Sequence, residues 1–418
     1  MTTRPLLLSR RFAPLFWCQF FSAFNDNFLK TALVFLILFG NGGGEALITL
    51  ASAVFIAPYF FLSALGGELA DRFDKGRVAR SLKLIEIGVC CVAIAGFLLH
   101  SVPVLFVALF GFGVLAALFG PLKYGILPDQ LSRTELPAGN ALVEGATFIA
   151  ILTGTIAGGI AGKGGAVVIA GLLLAFAIAS WLASLLIPPT GERAPRLRIS
   201  ANILRATRDQ LRYLRGDSRL FWGALVTSWF WAAGIVVLAI MPPLIKTLVG
   251  GNENTVTVYL AVFSIAVGAG SWLAAYIARG RIVLRTTLIG ALSLGLFTLD
   301  LGVSTLGMTP GVTLRGPGDV FVSFPGLRVA FDLAGLALAG GLFIVPAFAA
   351  VQAWSDQAHR ARTVAAVNIL NAAFMTAATI LTAVLQRAGV TVPQLFVLLG
   401  IVGLVVAYAI KRTMPHAG

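Results

Sequence analysis

Apolar runs of about twenty residues, separated by short polar connections, recur along the whole chain. A helix needs about 20 mainly apolar residues to cross the hydrocarbon core of a bilayer. On that length the runs predict twelve spans, at 12–40, 46–70, 80–100, 102–122, 139–162, 165–187, 220–245, 255–279, 284–306, 329–352, 363–385 and 392–411. The first run is overlong and is interrupted by Asn25-Asp26-Asn27 and Lys30. The longest basic connection, Pro188 to Arg219, follows the sixth run and carries eight arginines, some at helical spacing. It predicts a surface linker helix, 188–219, between two six-helix bundles, 1–187 and 220–418. The expected fold class is therefore an all-α polytopic membrane protein.

Composition strengthens that reading. Of the 418 residues, 58% are hydrophobic and 11% charged, with a mean hydropathy of +0.93. Soluble domains carry about 45–50% apolar and about 25% charged residues, so too little polar surface remains to cover a water-soluble fold. A soluble enzyme, a nucleic-acid binder and a disulfide-stapled secreted domain are excluded. Cys18, Cys90 and Cys91 all fall inside apolar runs, with no ligand spacing, and are expected to be small packing residues. No removable signal peptide is expected at the N-terminus.

The net charge of +14 changes the picture only through its distribution. With the N-terminus inside, the inner connections and tails hold 25 Lys or Arg and the outer ones five. That asymmetry predicts both termini in the cytoplasm, with the surplus charge meeting anionic lipid and no nucleic acid.

Ionisable groups inside a span cost about 2.5–3.5 kcal/mol at the helix centre, so those present mark candidate chemistry. Gln19, Ser22, Asp26 and Lys30 are spaced 3, 4 and 4 along the first span, one polar stripe in which Asn25 is an immediate neighbour. The stripe reads either as the lining of a substrate or proton path or as a self-neutralising Asp26–Lys30 ion pair that packs helices. Lys123 ends the fourth span, and Asn140, Glu144 and Thr147 share one face of the fifth. A lysine with two carboxylates within reach suits either a zwitterion or a latch between spans three to five; Lys123 with Glu144 leans to the first, Lys83 with Glu86 to the second. Asp300, Arg328 and Asp332 form a candidate outer gate or an interfacial salt bridge. Asn368 and Asn371 add polar lining to span eleven. Trp229 and Trp231, deep in span seven, suit either an acyl chain or lipid-facing packing.

The turn after span two reads Gly66-Gly67-Glu68-Leu69-Ala70-Asp71-Arg72-Phe73-Asp74-Lys75-Gly76-Arg77. Gly67 permits close helix approach, Asp71 suits a helix N-terminus, and Arg72 and Arg77 are available to pair with acids. The halves also echo one another: Arg133-Thr134 before Asn140 matches Arg362-Thr363 before Asn368, and Pro121 matches Pro346.

The 66–77 turn resembles the loop signature of the major facilitator superfamily, with Asp74 where a glycine is usual. Three further segments, Phe21–Lys30, Gly120–Pro128 and Asn140–Glu144, resemble the bacterial lysophospholipid transporter family. Asn25-Asp26-Asn27 together with Asp71-Arg72-Phe73-Asp74-Lys75 is most similar to the transporter portion of proteins fused to an acyltransferase and an acyl-carrier-protein synthetase. The similarity spans essentially the whole chain and is strongest over residues 16–160.

The resemblance implies flipping of lysophosphatidylethanolamine and lysophosphatidylglycerol from the outer to the inner leaflet of a bacterial inner membrane, followed by re-acylation inside. It places Asp26, Lys123 and Glu144 along the headgroup path. The chain ends at Gly418, so the acyltransferase is expected to be a separate partner, and the transporter a monomer without cofactor or metal. A proton-coupled exporter of drugs or small metabolites, with Asp26 as the protonation site, is the alternative. An integral acyltransferase is disfavoured, because no His-x4-Asp pair accompanies His100, His359 or His416.

Overall fold

The structure is a computed structural model, and it describes residues 6–39, 45–308 and 314–413. Among them are twelve long helices, two short ones and no extended sheet. The long helices are α1 (Ala13–Phe39), α2 (Glu45–Arg72), α3 (Lys75–Leu98), α4 (Val102–Gln130), α5 (Leu136–Gly164) and α6 (Ala166–Leu185) in the first half. The helix α7 (Ile203–Gly216) follows, then α8 (Ser218–Leu244), α9 (Glu253–Ala278), α10 (Leu284–Thr305), the short α11 (Pro317–Val320), α12 (Phe324–Trp354), α13 (Arg360–Arg387) and α14 (Val392–Thr413). Eleven of the long helices are apolar and long enough to cross a membrane. The remaining one, α1, has the length but carries the polar stripe.

Local chemistry sets the helix ends. Asp74 caps α3 by accepting from the Arg77 N–H, Asn202 caps α7 through the Arg205 N–H, and Asn252 caps α9 through the Thr255 N–H, each satisfying an otherwise orphaned donor. As the stripe along one helix face requires, α1 runs unbroken through Asn25-Asp26-Asn27. Asn27 Nδ2 donates to Ala23 O one turn back at 2.8 Å, and Asn25 Nδ2 donates to Leu173 O of α6 at 3.0 Å. The polar side chains are thus bonded without opening the helix. Helix α4 continues eight residues beyond its expected end at 122, because its last turn enters an ionic cluster described below.

Packing divides the chain into two units. Unit 1 comprises Met1–Gly139, Ile149–Leu220 and Gln352–Ala372; unit 2 comprises Asn140–Phe148, Phe221–Val351 and Ala373–Gly418. Neither is one stretch of chain. The first half of α13 belongs to unit 1, with the linker, and a short stretch of α5 belongs to unit 2. Within unit 1, α1 packs on α6, α3 on α4 and α6, and α2 on α4, around Phe28, Leu33, Phe97, Leu109 and Phe112. Within unit 2, α10 packs closely on α14.

The linker helix α7 turns Ala206, Gln210 and Leu214 inward, packs on α2, and donates from Gln210 Nε2 to Ala64 O at 3.0 Å. Its arginines 205, 208, 212 and 215 are exposed. From sequence, the Gly- and Pro-rich loop 308–328 leading into α12 reads either as a recruiter of lipid headgroups or as a disordered connection. In its described part Arg315 pins it to the start of α9: the Arg315 N–H donates to Gly250 O, and Arg315 O accepts from Asn252 N and Thr255 Oγ1. The remainder of that loop, 309–313, and His416 lie outside the described residues.

Candidate functional site

The α1 stripe points into unit 1, where its members have different surroundings. Gln19 is buried, and its Oε1 accepts from Lys123 Nζ of α4 at 2.9 Å, while that ammonium also lies 4.8 Å from the Tyr124 ring. Ser22 is buried and joins α3: Lys83 Nζ donates to Ser22 Oγ at 2.6 Å and to Glu86 Oε2 at 2.6 Å, and Ser22 Oγ donates to Glu86 Oε2 at 3.1 Å. The Phe119 ring of α4 covers Lys83 at 4.0 Å. This knot ties α3 to α1 and α4, whereas the latch expected of Lys83 and Glu86 was to join spans three to five.

Asp26 is half-buried and makes no hydrogen bond or ion pair among the described residues. The expected alternative, an Asp26–Lys30 ion pair, is not formed. Lys30 Nζ turns instead to Asn27 Oδ1 at 3.3 Å and lies 5.8 Å from the Phe55 ring of α2. Lys30, Lys83, Lys123 and Glu86 are the ionisable groups within electrostatic reach of Asp26, and the Tyr59 phenol of α2 is also in its field. Tyr59 was not singled out from sequence, because an aromatic residue in an apolar helix carries no signal of its own. Asn25 is buried and its Nδ2 bonds to α6, while its Oδ1 has no hydrogen-bond partner among the described residues.

The 66–77 turn builds a second polar constellation at one end of unit 1. A Cβ on Gly67 would lie 2.8 Å from both Ala365 Cβ and Arg362 Cα, so α2 and α13 touch there with no room for a side chain. Asp71, fully buried, caps α13: it accepts from the Ala361 N–H at 3.1 Å, the Arg362 N–H at 3.2 Å and Arg362 Nε at 3.0 Å.

The acid pairing expected of Arg72 and Arg77 is not made by those residues. Arg72 lies over the Phe73 ring, and Arg77 uses its backbone N–H on Asp74 with its side chain exposed. The pairing cations are Lys75, Arg193 and Arg360, which converge on the buried Asp129 at 2.8, 3.3 and 3.6 Å, and Arg362 on Asp71. None of these was chosen from sequence, since their partners lie 54 to 291 positions away.

Asp74 is well accommodated where a glycine is usual. Its φ of −58° needs no glycine, and beyond capping α3 its Oδ2 accepts from the Thr190 and Gly191 N–H groups at 2.7 and 2.8 Å. Burial raises its carboxyl, but the Arg77, Gly191 and Thr190 N–H donors outweigh burial and hold it below the usual carboxylate range. Likewise Arg11, bonded at 2.9 Å, holds Glu135 low.

In unit 2, Asn140 and Glu144 are fully buried on α5; Lys123, which was matched with Glu144 from sequence, belongs to unit 1. One helical turn beyond, Phe148 stacks on Trp231 at 6.3 Å and meets Phe230 and Phe263 edge-on. The cavity beside this cluster is about 30 Å³, room for a water and not for an acyl chain. Trp229 is half-buried and stands outside the cluster. Asp300, Arg328 and Asp332 do come together: Arg328 Nη2 donates to Asp300 Oδ2, and Arg328 Nε faces Asp332 Oδ2 at 3.4 Å. Asn368 lies against Gly120, where a Cβ would meet its Nδ2 at 2.8 Å, and Asn371 is buried, both within unit 1.

The sequence matches the Major Facilitator Superfamily over residues 15–335. It is 32% identical over 280 residues to the lysophospholipid transporter LplT of Yersinia pestis (strain Pestoides F) and to that of Yersinia pseudotuberculosis serotype O:3 (strain YPIII). Each match covers 63% of this chain and 64% of the relative, so it spans less than two thirds of their length. Among solved structures, the human organic anion transporter MFSD10 (TETRAN) superposes with a TM-score of 0.75 at 16% identity, covering 96% of this chain and 98% of that one. The transporter FucP in its outward conformation gives 0.74 at 10% identity with the same coverage. At such identities these structures establish the fold alone.

Proposed function

Because the chain belongs to the major facilitator superfamily, we propose that it is a transporter and that its cargo is a lysophospholipid. The observation that carries the reading is Asp26, a carboxylate within α1 that has no hydrogen-bond or ion-pair partner among the described residues. A carboxylate there costs free energy unless an aqueous path, a proton or a bound cation answers it. An ethanolamine ammonium supplies such a cation. Within unit 1, Lys123 is assigned to the lipid phosphate and Lys30 to the charge balance around Asp26; Glu144, in unit 2, is assigned to an ammonium. The LplT proteins of Yersinia support the choice of cargo, since their names give lysophospholipid as theirs.

On this reading, lysophosphatidylethanolamine and lysophosphatidylglycerol move from the outer to the inner leaflet of a bacterial inner membrane by alternating access. A cytoplasmic acyltransferase activity then restores the second chain. Both termini are placed inside on the lysine and arginine asymmetry. The Gly67–Asp71–Arg362 contact is assigned to holding one conformation of the cycle, and Asp300, Arg328 and Asp332 to the outer side.

The test is flipping of labelled lysophosphatidylethanolamine in proteoliposomes without an ion gradient, for the native protein, Asp26→Asn and Glu144→Gln. Flipping by the native protein that both substitutions abolish is expected. A well-folded native protein that flips nothing, with or without a proton gradient, refutes the lipid reading.

A further inference from the structure

Helices α9, α10 and α12 leave a groove of about 590 Å³ on the surface of unit 2, away from the aromatic cluster. Its walls include Ile265 and Ala269 of α9, Phe297 of α10, and Phe331, Gly335 and Leu342 of α12, and its single polar lining residue is Ser293. Ile265 and Phe331 are each more than 60% exposed, so the groove opens sideways. For a membrane-spanning bundle that is the direction of the acyl chains.

The groove has a polar end. Along α12, Arg328, Phe331, Gly335, Leu338 and Leu342 are spaced 3, 4, 3 and 4, a single helix face. From Arg328 to Leu342 that face rises about 21 Å, more than the roughly 15 Å of one leaflet's hydrocarbon depth. Along α10, Ser293, Phe297 and Asp300 are spaced 4 and 3. Both faces therefore lead from the apolar groove to the Arg328–Asp300 pair, with the Phe297 and Phe331 rings in edge contact at 5.6 Å just below it.

The pair is not closed on itself. Its side chains are 38% and 44% exposed. Asp332, behind it, is fully buried with no hydrogen-bond partner for either oxygen, and holds Arg328 Nε at 3.4 Å. Two carboxylates against one guanidinium leave a formal charge of −1. Arg328 Nη1 has no partner among the described residues and is available to a phosphate oxygen, while Asp300 is available to an ammonium. A zwitterionic headgroup answers both. A purely anionic one adds charge of the sign already in surplus, and a choline brings no N–H donors.

We propose that this groove binds a phosphoethanolamine phospholipid of the surrounding leaflet, with one acyl chain along α12, the phosphate on Arg328 and the ammonium on Asp300. The site stands on unit 2 alone, and its occupancy does not depend on the transport reading.

The test uses the full chain in nanodiscs containing phosphatidylethanolamine with a photoactivatable acyl chain, and reads crosslinked peptides. Labelling is expected on the 265–269 and 331–342 segments. Unlabelled phosphatidylethanolamine should suppress it about tenfold more effectively than phosphatidylglycerol or phosphatidylcholine. Ala269→Phe fills the groove from an exposed position and should cut labelling there about tenfold without changing it on other helices. Arg328→Gln and Asp300→Asn, each checked for native helix content, should keep chain labelling and lose the headgroup preference. Equal competition by all three lipids, or undiminished labelling in Ala269→Phe, overturns the proposal and marks the groove as ordinary contact with bulk lipid.

Discussion

Removing Asp129 should destabilise unit 1 far more than removing the lysine it binds. Asp129 is 1% exposed and receives Lys75 at 2.8 Å, with Arg193 at 3.3 Å and Arg360 at 3.6 Å. At an effective dielectric of about 20, a unit pair at the Lys75 distance attracts by about 6 kcal/mol. Desolvating each ion costs several kcal/mol, so the net worth of the intact pair is small. The cost of breaking it is another matter. Asp129→Leu leaves Lys75, itself 2% exposed, as an uncompensated buried charge, and about 3–5 kcal/mol should be lost. Arg193, 28% exposed, can turn to water. Lys75→Met leaves Asp129 with both arginines and should cost about 1–2 kcal/mol. Because Asp129→Leu with Lys75→Met leaves no buried ammonium, the double variant should lose at least about 2 kcal/mol less than the sum of the single losses. Equilibrium unfolding in mixed micelles, followed by helix content, measures all three. Strictly additive losses, or an Asp129→Leu loss below about 1 kcal/mol, would refute the assignment of Lys75 as a buried charge dependent on Asp129.

Three further outcomes follow from the same geometry. Gly67→Val places a side chain where a Cβ already falls 2.8 Å from Ala365 Cβ and Arg362 Cα; it should cost about 1–3 kcal/mol and lower transport while the protein still reaches the membrane, read by flipping per membrane-inserted molecule. Asp74→Asn keeps a capping side chain but loses the charge that three N–H groups stabilise, and should cost about 1 kcal/mol at neutral pH. Because the folded carboxyl lies below its usual value, that contribution is fully present above pH ~4 and is lost as pH falls through the depressed value, so unfolding titrations of native and variant should converge in acid. Lys83→Met leaves Glu86 buried and should cost about 3–5 kcal/mol, whereas Lys83→Met with Glu86→Leu should recover most of it in the same titration.

What could be read from sequence was whatever local chemistry decides. The long helices follow the apolar runs, because a backbone in hydrocarbon must bond to itself. The capping role of Asp71 was legible from its place in the 66–77 segment, but the N–H it accepts from lies 290 positions later, and no local pattern encodes that distance. Lys83 and Glu86 were recognisable as one turn of one helix. Asp129 was not, since a single acid at the end of an apolar run is indistinguishable from a solvated boundary until Lys75, Arg193 and Arg360 are seen to surround it. Arg72 and Arg77 carried the expected signature, yet Arg72 lies over an aromatic face and the Arg77 side chain is exposed. The charge was read correctly as belonging to the turn, and its bearer was decided by folding.

The two deep carboxylates of unit 1 show how polarity can be retained for use rather than for stability. Glu86 is buried with Lys83 and Ser22 both bonded to its Oε2 and an aromatic ring closing the cluster, while its Oε1 has no hydrogen-bond partner among the described residues. Asp26 shares the same field, with Lys30, Lys83, Lys123 and Glu86 all in reach, yet Lys30 turns away to Asn27 and Lys123 to Gln19. The region's most accessible carboxylate has no hydrogen-bond or ion-pair partner among the described residues. A headgroup ammonium answers that carboxylate with a matching charge and N–H donors at once. A lone proton neutralises it but leaves its other oxygen unbonded, which is why the lipid reading is preferred to a simple protonation site on Asp26.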